Sequence, residues 1–384
     1  MLYPEKNQPA RELLSKLKVD AAIACCPENV YYTSGFWTKM YDQTFTHLQE
    51  AWAVQTREGS DALIVPRTIS GDIYVHEPVS KNILYSGEYP VTDEPKYKTH
   101  PDSMTALKTY LASEGLEKGV LGIEGDMSWN KFNELKKALP EAKFVDVAAS
   151  FFMQLRRTKT KEEVARMTEA CHITEMAFLY MLENAKEGMY ETDVANLLRQ
   201  YTARTPTVKT VHLDVASGPR SAWPSDASPR KRLKRGEIVR IDFGVRYKHY
   251  CSDLSRNTIV GPPNEEQVRM NRVLDEAGQI VIKNMRPGVK CHDLYQMCHA
   301  HVAKTYPKYS RQIMGHAIGL TIHDEPWIRP GVQDILEPGM VITSETAWNR
   351  YGYGTMNVED VILVTENEPE SLSVLNRDLY TIRT

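Results

Sequence analysis

Long apolar runs are missing from this chain of 384 residues. None approaches the ~20 residues that a bilayer-spanning helix needs, so no membrane span is expected. The opening "MLYPEKNQPARELL" has no basic stretch followed by an apolar one, the pattern of a secretory leader. Cysteine is scarce: the 6 present lie at 25, 26, 171, 251, 291 and 298, and no C-x-x-C occurs among them. Paired-thiolate chemistry is therefore not expected, and the setting reads as reducing and cytoplasmic. Cys25 and Cys26 close the apolar stretch "VDAAIACC" and read as core thiols in a strand. A basic excess is absent too. The net charge is −3, so neither nucleic acid nor an anionic membrane is an expected partner. The locally basic "PRKRLKRGE" reads as a solvated loop ahead of a strand. What is present, 42% hydrophobic and 25% charged residues, is an ordinary globular composition. The length suits two or three domains.

The first part of the chain alternates strand and helix signals. "ARELLSKLK" is a short amphipathic helix and "VDAAIACC" a buried strand. "PENVYYTSGF" opens on Pro and reads as a turn before the chain continues. "AWAVQT" and "DALIVP" flank "REGS" as a hairpin. Helices over 103–116 and 130–139 surround a strand over 119–125. This alternation predicts an α/β domain over residues 1–154. Thr160 with Glu163 forms a capping-box signature, so a long helix starts there and opens a second domain, 155–384. Its pattern then repeats. Helices 161–186 and 191–203, a strand near 211–216 and hairpin arms 238–246 and 249–260 come first. Helices 264–285 and 290–305, a strand near 311–322 and arms 340–348 and 356–365 follow. The duplicated helix-helix-strand unit has no matching sequence identity, yet a duplicated unit can build one site between its halves.

The hairpin "VRIDFGVRYKHYCSDLSR" poses a chemical question. Val239, Ile241, Phe243 and Val245 alternate as one face of a strand, while Asp242 and Asp253 sit on its two arms. With the turn centred on Tyr247 and Lys248, the two aspartates face each other, Cβ atoms about 5 Å apart. Gly244 and Cys251 then form the next, small pair. Two carboxylates that close share a proton or a cation, unless they lie on a wetted face. "GHAIGLTIHDEP" adds His316 and His323; "EPGMVITSETAW" and "MNVEDVILVT" place Glu345 and Glu359 inside apolar strands. Buried unpaired carboxylates cost several kcal/mol each. Four strand carboxylates with a histidine therefore read as one compensated cluster. Oxygen-rich donors with an imidazole suit Mn, Co, Zn or Fe. Five donors, some able to bridge, suit two divalent ions about 3.5–4 Å apart.

These motifs together resemble the pita-bread metalloenzymes: methionine aminopeptidase, aminopeptidase P, prolidase and relatives such as creatinase. The likeness rests on "IDFG", "SDLSR", "GHAIG", "SET" and "VED", in order and at family spacing, and on "PENVYYTSGF" in a creatinase-like N-terminal α/β domain. It implies a C-terminal pita-bread catalytic domain of the prolidase, aminopeptidase P and creatinase branch. Asp242 would chelate one metal, Asp253 and Glu359 would bridge two, and His316 and Glu345 would bind the second. A bridging water would be the nucleophile, Glu345 would shuttle its proton, and His323 would hydrogen-bond substrate or oxyanion. The implied activity is cleavage of Xaa-Pro peptides by a homodimer, with manganese one of the metals the site would take.

Three positions depart from the peptidase pattern. Ser225 stands where a Pro-His step is usual, Asn357 where an Arg commonly holds a substrate carboxylate, and Thr346 where Pro usually follows the glutamate. The metal shell matches while the substrate shell is altered. That keeps open a non-peptidase enzyme, a C–N hydrolase or lyase for a small zwitterion. His212, Ser225, Arg329 and Asn357 are the candidate substrate-binding residues; Trp223, Asp226 and Arg350 are near enough in sequence to join them. A metal-free binding module on the same fold is the third reading, and the complete donor set argues against it.

Overall fold

The computed structural model describes residues 1–42, 51–89, 91, 99–223 and 230–384. The chain divides into Met1–Arg156 and Arg157–Thr384. No helix among the described residues is long and apolar enough to cross a membrane.

The first unit is built on strands β1 (Ala21–Ala24), β2 (Trp52–Thr56), β3 (Asp61–Pro66), β4 (Ile83–Ser86), β5 (Thr99–His100), β6 (Val120–Ile123) and β7 (Lys143–Asp146). Their order is β5-β4-β3-β2-β1-β6-β7. Every pairing is parallel except those of β2, which runs antiparallel to both neighbours. Helices α1 (Asn7–Leu17), α2 (Pro27–Ser34), α3 (Ile73–His76), α4 (Ser103–Ser113) and α5 (Trp129–Ala138) accompany it. One apolar core joins the sheet to α4 and α5 through residues such as Ile23, Val54, Ile64, Leu107, Leu111 and Leu135.

Two local expectations fail here, for one reason. "PENVYYTS" is the helix α2, not a turn: Pro27 occupies its first turn, where a missing N–H costs nothing, and Gly35 at φ 79° ends it. Strand β1 stops at Ala24, so Cys25 and Cys26 lie outside it and only partly buried. The buried Glu124 carboxylate accepts from the Cys25 and Cys26 N–H groups and from Asn29 Nδ2 at 2.6 Å. An anion at a helix start is favourable, and this one pulls the chain out of the sheet and into α2.

After α6 (Gln154–Arg157), the second unit begins with α7 (Lys161–Asn184) and α8 (Glu191–Thr202). The Thr160 box is formed on both sides: Glu163 N–H donates to Thr160 Oγ1 at 3.2 Å and Thr160 N–H to Glu163 Oε2 at 2.7 Å. Strands β8 (Val208–Ser217), β9 (Ile238–Tyr247), β10 (Tyr250–Cys251) and β11 (Leu254–Val260) follow. Then α9 (Glu265–Lys283) and α10 (Cys291–Thr305) lead to β12 (His316–Ala317), β13 (Asp324–Trp327), β14 (Val341–Arg350), β15 (Gly354–Leu363), β16 (Glu370–Ser371) and β17 (Tyr380–Ile382). The sheet order is β10-β9-β11-β15-β14-β12-β13, with β8 on β9. Two similar helix-helix-strand runs thus meet at the antiparallel β11–β15 pair, where Ser255 faces Glu359.

Each helix pair covers its own half of the sheet. Phe178, Val194 and Leu198 pack on Val215, Val239, Ile241, Phe243 and Val245. Met270, Leu274, Leu294 and Cys298 pack with Ile342, Met356 and Ile362. Side chains alternate along a strand, so Asp242, Glu345 and Glu359 are turned to the face that the helices leave uncovered.

The hairpin register differs from the sequence reading. The turn residues are Lys248 and His249, at φ 44° and 74°, so the turn sits one residue later than expected and each cross-strand partner shifts by two. Asp242 consequently faces Ser255, and Cys251 faces Arg246 rather than Gly244. A shift of two keeps every side chain on its face, so both aspartates still point the same way. The strand expected near 311–322 shrinks to His316–Ala317. A Cβ at Gly315, φ 144°, would collide with Thr343 O, so the backbones approach too closely there for a regular ladder.

Candidate metal centre

β9 carries Asp242 and β8 lies antiparallel beside it, with His212 opposite Gly244. A Cβ at Gly244 would stand 2.6 Å from His212 Cε1, so the imidazole occupies room that only glycine leaves. From there His212 Nε2 lies 2.9 Å from Asp242 Oδ1 and 3.1 Å from Asp253 Oδ1. Asp253 sits in the gap between β10 and β11. Ser252 covers that gap: its N–H donates to Val245 O at 2.9 Å, and its Oγ accepts from Val245 N–H at 3.0 Å.

His316 arrives from β12. Its Nδ1 lies 3.1 Å from Ala317 O; as a donor there, Nδ1 leaves the Nε2 lone pair facing inward. Nε2 is 3.6 Å from Asp253 Oδ2 and 3.8 Å from Glu359 Oε1. Glu345 and Glu359 are directly opposed across β14–β15. Three donor trios result, each with its atoms within 4.8 Å of one another: His212–Asp242–Asp253, Asp253–His316–His323 and His316–Glu345–Glu359. They share Asp253 and His316, so they form one continuous cluster.

The electrostatics call for a cation. Burial pushes the Glu359 carboxyl far above its ordinary range, and Asp253, Glu345 and Asp242 push it further. Burial also opposes charge on Asp242, but His212, Arg240 and Arg311 outweigh it and hold that carboxyl low. Burial resists a charged His212, yet Asp253 and Asp242 prevail and raise its pKa well above the usual imidazole value. Glu359 Oε1 and His212 Nδ1 are buried without a hydrogen bond. Such orphans cost about 1–3 kcal/mol each. Four carboxylates and an imidazole, gathered in one buried cluster, fit hard or borderline divalent ions, and Asp242, Asp253, His316, Glu345 and Glu359 could hold them.

The other candidates are placed unevenly. His323 is exposed, its ring stacked on Trp327 with centroids 5.3 Å apart and edge-on to His316 at 4.5 Å. Asn357 Nδ2 donates to Glu345 Oε1 at 3.2 Å, while its Oδ1 is buried and unbonded. Arg329 is exposed, and no hydrogen bond or ion pair joins it to the cluster among the described residues. Arg350 pairs instead with Glu266, at 3.2 Å. Ser225 and Asp226 lie outside the described residues. Two cations at the site were missed from sequence. Arg240 pairs with Asp214 and donates to Trp223 O at 3.2 Å. Arg311, in the segment before β12, pairs with Glu345. Arg240 precedes Asp242 on the same strand face and could have been found by alternation; Arg311 belongs to no periodic pattern.

The family model described as Metallopeptidase family M24 matches residues 165–366, and that of the Creatinase/Prolidase N-terminal domain matches 8–158. The chain is 34% identical to the Xaa-Pro dipeptidase of Pyrococcus furiosus, over 98% of this chain and 99% of that one. It is 30% identical to the Xaa-Pro dipeptidase of Pyrococcus horikoshii, over 98% of each. The solved prolidase of Pyrococcus horikoshii has a TM-score of 0.82 at 27% identity, covering 98% of this chain and 99% of that one.

Proposed function

The chain belongs to metallopeptidase family M24, and from that premise we propose that it is a metal-dependent Xaa-Pro dipeptidase. Asp242, Asp253, His316, Glu345 and Glu359 would hold two divalent ions of the Mn, Co, Zn or Fe class. The observation that carries this reading is the meeting of three donor trios through Asp253 and His316. Divalent ions in such a setting supply Lewis acidity and acidify water.

The protein's own groups divide the remaining work. Glu345, at the edge of the cluster and bonded by Asn357, carries a proton from the attacking side to the leaving nitrogen. His323, held against Trp327 and His316, donates to the oxygen on which charge develops. Partial desolvation of the ring and the neighbouring His316 lower the His323 pKa, so the ring stays neutral and serves as a hydrogen-bond donor without adding charge beside the ions. His323→Ala should therefore keep its metal, by elemental analysis, and lose kcat by about 10²–10³-fold. Full activity in that variant would remove His323 from this role. The cytoplasmic setting rests on the scarce, unpaired cysteines and the homodimer on family likeness; light scattering that finds a monomer would overturn the latter.

The direct test is to load the purified protein with each metal and supply Xaa-Pro dipeptides. Proline release is expected; metal retained without proline release would overturn the peptidase reading. One observation favours a second reading, a C–N hydrolase or lyase acting on a small zwitterion: position 357 offers an amide with an unbonded oxygen. Turnover of such compounds but not of Xaa-Pro peptides would select it.

A further inference from the structure

The strands of the second domain are ordered outward from a central seam. With β8 on β9, the order reads β8-β9-β11-β15-β14-β12, so β8 corresponds to β12, β9 to β14 and β11 to β15. Each half thus has one outer strand and two inner ones. In the second half the outer strand supplies His316, and the inner strands supply Glu345 and Glu359. In the first half β9 supplies Asp242, the start of β11 adjoins Asp253, and the outer strand carries His212. Two of the donor trios divide the same way: His212–Asp242–Asp253 and His316–Glu345–Glu359.

His212 joins this set through a break in register. Thr210 faces Val245 and His212 faces Gly244, so β8 sets two residues, Val211 and His212, against one of β9. Without the extra residue His212 would face Phe243, which packs under the helices, and the imidazole would point into the core. The bulge turns it to the uncovered face, as bulges beside active sites re-aim side chains. Gly244 leaves the room that the ring then fills. Its Nδ1 has no hydrogen bond among the described residues, so steric fit aims the ring.

Nε2 stands 2.9 Å from Asp242 Oδ1 and 3.1 Å from Asp253 Oδ1. Two ligands at right angles on an ion, each about 2.1 Å from it, lie about 3.0 Å apart. The trio therefore has the spacing of one coordination face. A single Nε2–H points at one oxygen at a time, whereas an ion capping the triangle meets all three atoms.

We propose that His212 is a sixth metal ligand, holding one ion with Asp242 and Asp253 as His316, Glu345 and Glu359 hold the other. The proposal rests on the metal-dependent reading above and deepens it. Asp253 still reaches the second ion, because its Oδ2 lies 3.6 Å from His316 Nε2. An imidazole on each ion favours Zn, Co or Fe over Mn.

The test uses the full chain, stripped of metal and reloaded with Co. X-ray absorption at the cobalt edge counts bound imidazoles, and equilibrium dialysis measures affinity. The parent should bind two ions with two imidazoles between them; His212→Gln should show one. That variant should weaken one binding step by more than about 100-fold, beyond the cost of losing a partner outside the ligand set. The other step should not move. His212→Glu, which returns a donor atom at similar reach, should recover part of the affinity without the imidazole. Two ions with a single imidazole in the parent overturn the proposal, and that readout depends on no variant. A His212→Gln loss of about 100-fold or less also overturns it, because His212 would then only support Asp242 and Asp253. So does tighter binding, because the ring would then stand in a metal's place. A parent that takes up no divalent ion overturns both this proposal and the metal-dependent reading. Absence of proline release overturns the dipeptidase reading alone, and the imidazole count stands.

Discussion

Glu359→Gln is expected to abolish metal binding and lower hydrolysis by about 10³-fold or more, while raising the melting temperature of the metal-stripped protein. Glu359 is buried on β15 directly opposite Glu345, and its Oε1 has no hydrogen bond. Burial, Asp253, Glu345 and Asp242 all oppose its ionised form. Without metal, the folded state therefore holds its proton more tightly than the unfolded chain does. A group of that kind destabilises the fold as pH rises above the ordinary glutamate value, about 4.3. Glutamine removes the charge at nearly constant volume, so the gain over the parent should widen from acid to neutral pH. Elemental analysis and calorimetric melting of stripped protein at several pH values check this. A variant that keeps two ions per chain would remove Glu359 from the ligand set; one that melts below the parent at neutral pH would show that the carboxylate is compensated by other means.

The second large effect is expected behind the site. Glu359 and Asp360 are adjacent, so they point to opposite faces of β15. Asp360 Oδ1 accepts from Arg256 Nη2 at 2.6 Å, and its Oδ2 from Arg377 Nε at 2.6 Å. Arg256, with a fully buried side chain, also donates to Glu359 O at 2.6 Å, Leu375 O at 2.6 Å and Asn376 O at 2.9 Å. Its Nη1 thus holds the backbone that carries a proposed ligand. Arg256→Ala should cost about 3–5 kcal/mol, as expected when one partner of a buried pair is removed. Arg256→Lys should recover little, because an ammonium cannot reproduce the fork. Urea denaturation followed by tryptophan fluorescence measures both. A loss under about 1 kcal/mol for Arg256→Ala would mean that the network is redundant.

Much of this architecture can be read without coordinates, and the failures have physical causes. Alternation in β9, β14 and β15 exposes Asp242, Glu345 and Glu359 as acids on the face opposite the apolar residues that meet the helices. The hairpin register cannot be read this way: Lys248 and His249 adopt a left-handed turn without the usual Asn-Gly signal. The error of two residues is harmless because facing repeats every two. One of the two aspartates also leaves the ladder altogether, and His212 brings the pair together from a neighbouring strand. Arg311 escapes notice because an irregular segment has no period from which its direction could be inferred. Cys25 and Cys26 look like strand from sequence because the pull of Glu124, ninety-odd residues downstream, is invisible locally.

The cap at the start of α7 reaches beyond the helix it begins. Glu163 closes the Thr160 box with one oxygen and accepts from the Tyr250 hydroxyl at 2.9 Å with the other. Tyr250 lies in β10, three residues ahead of Asp253. Asp253 is thereby tied, through β10, to the cap at Thr160. A lesion at Thr160 or Glu163 would therefore shift an aspartate that neither residue touches.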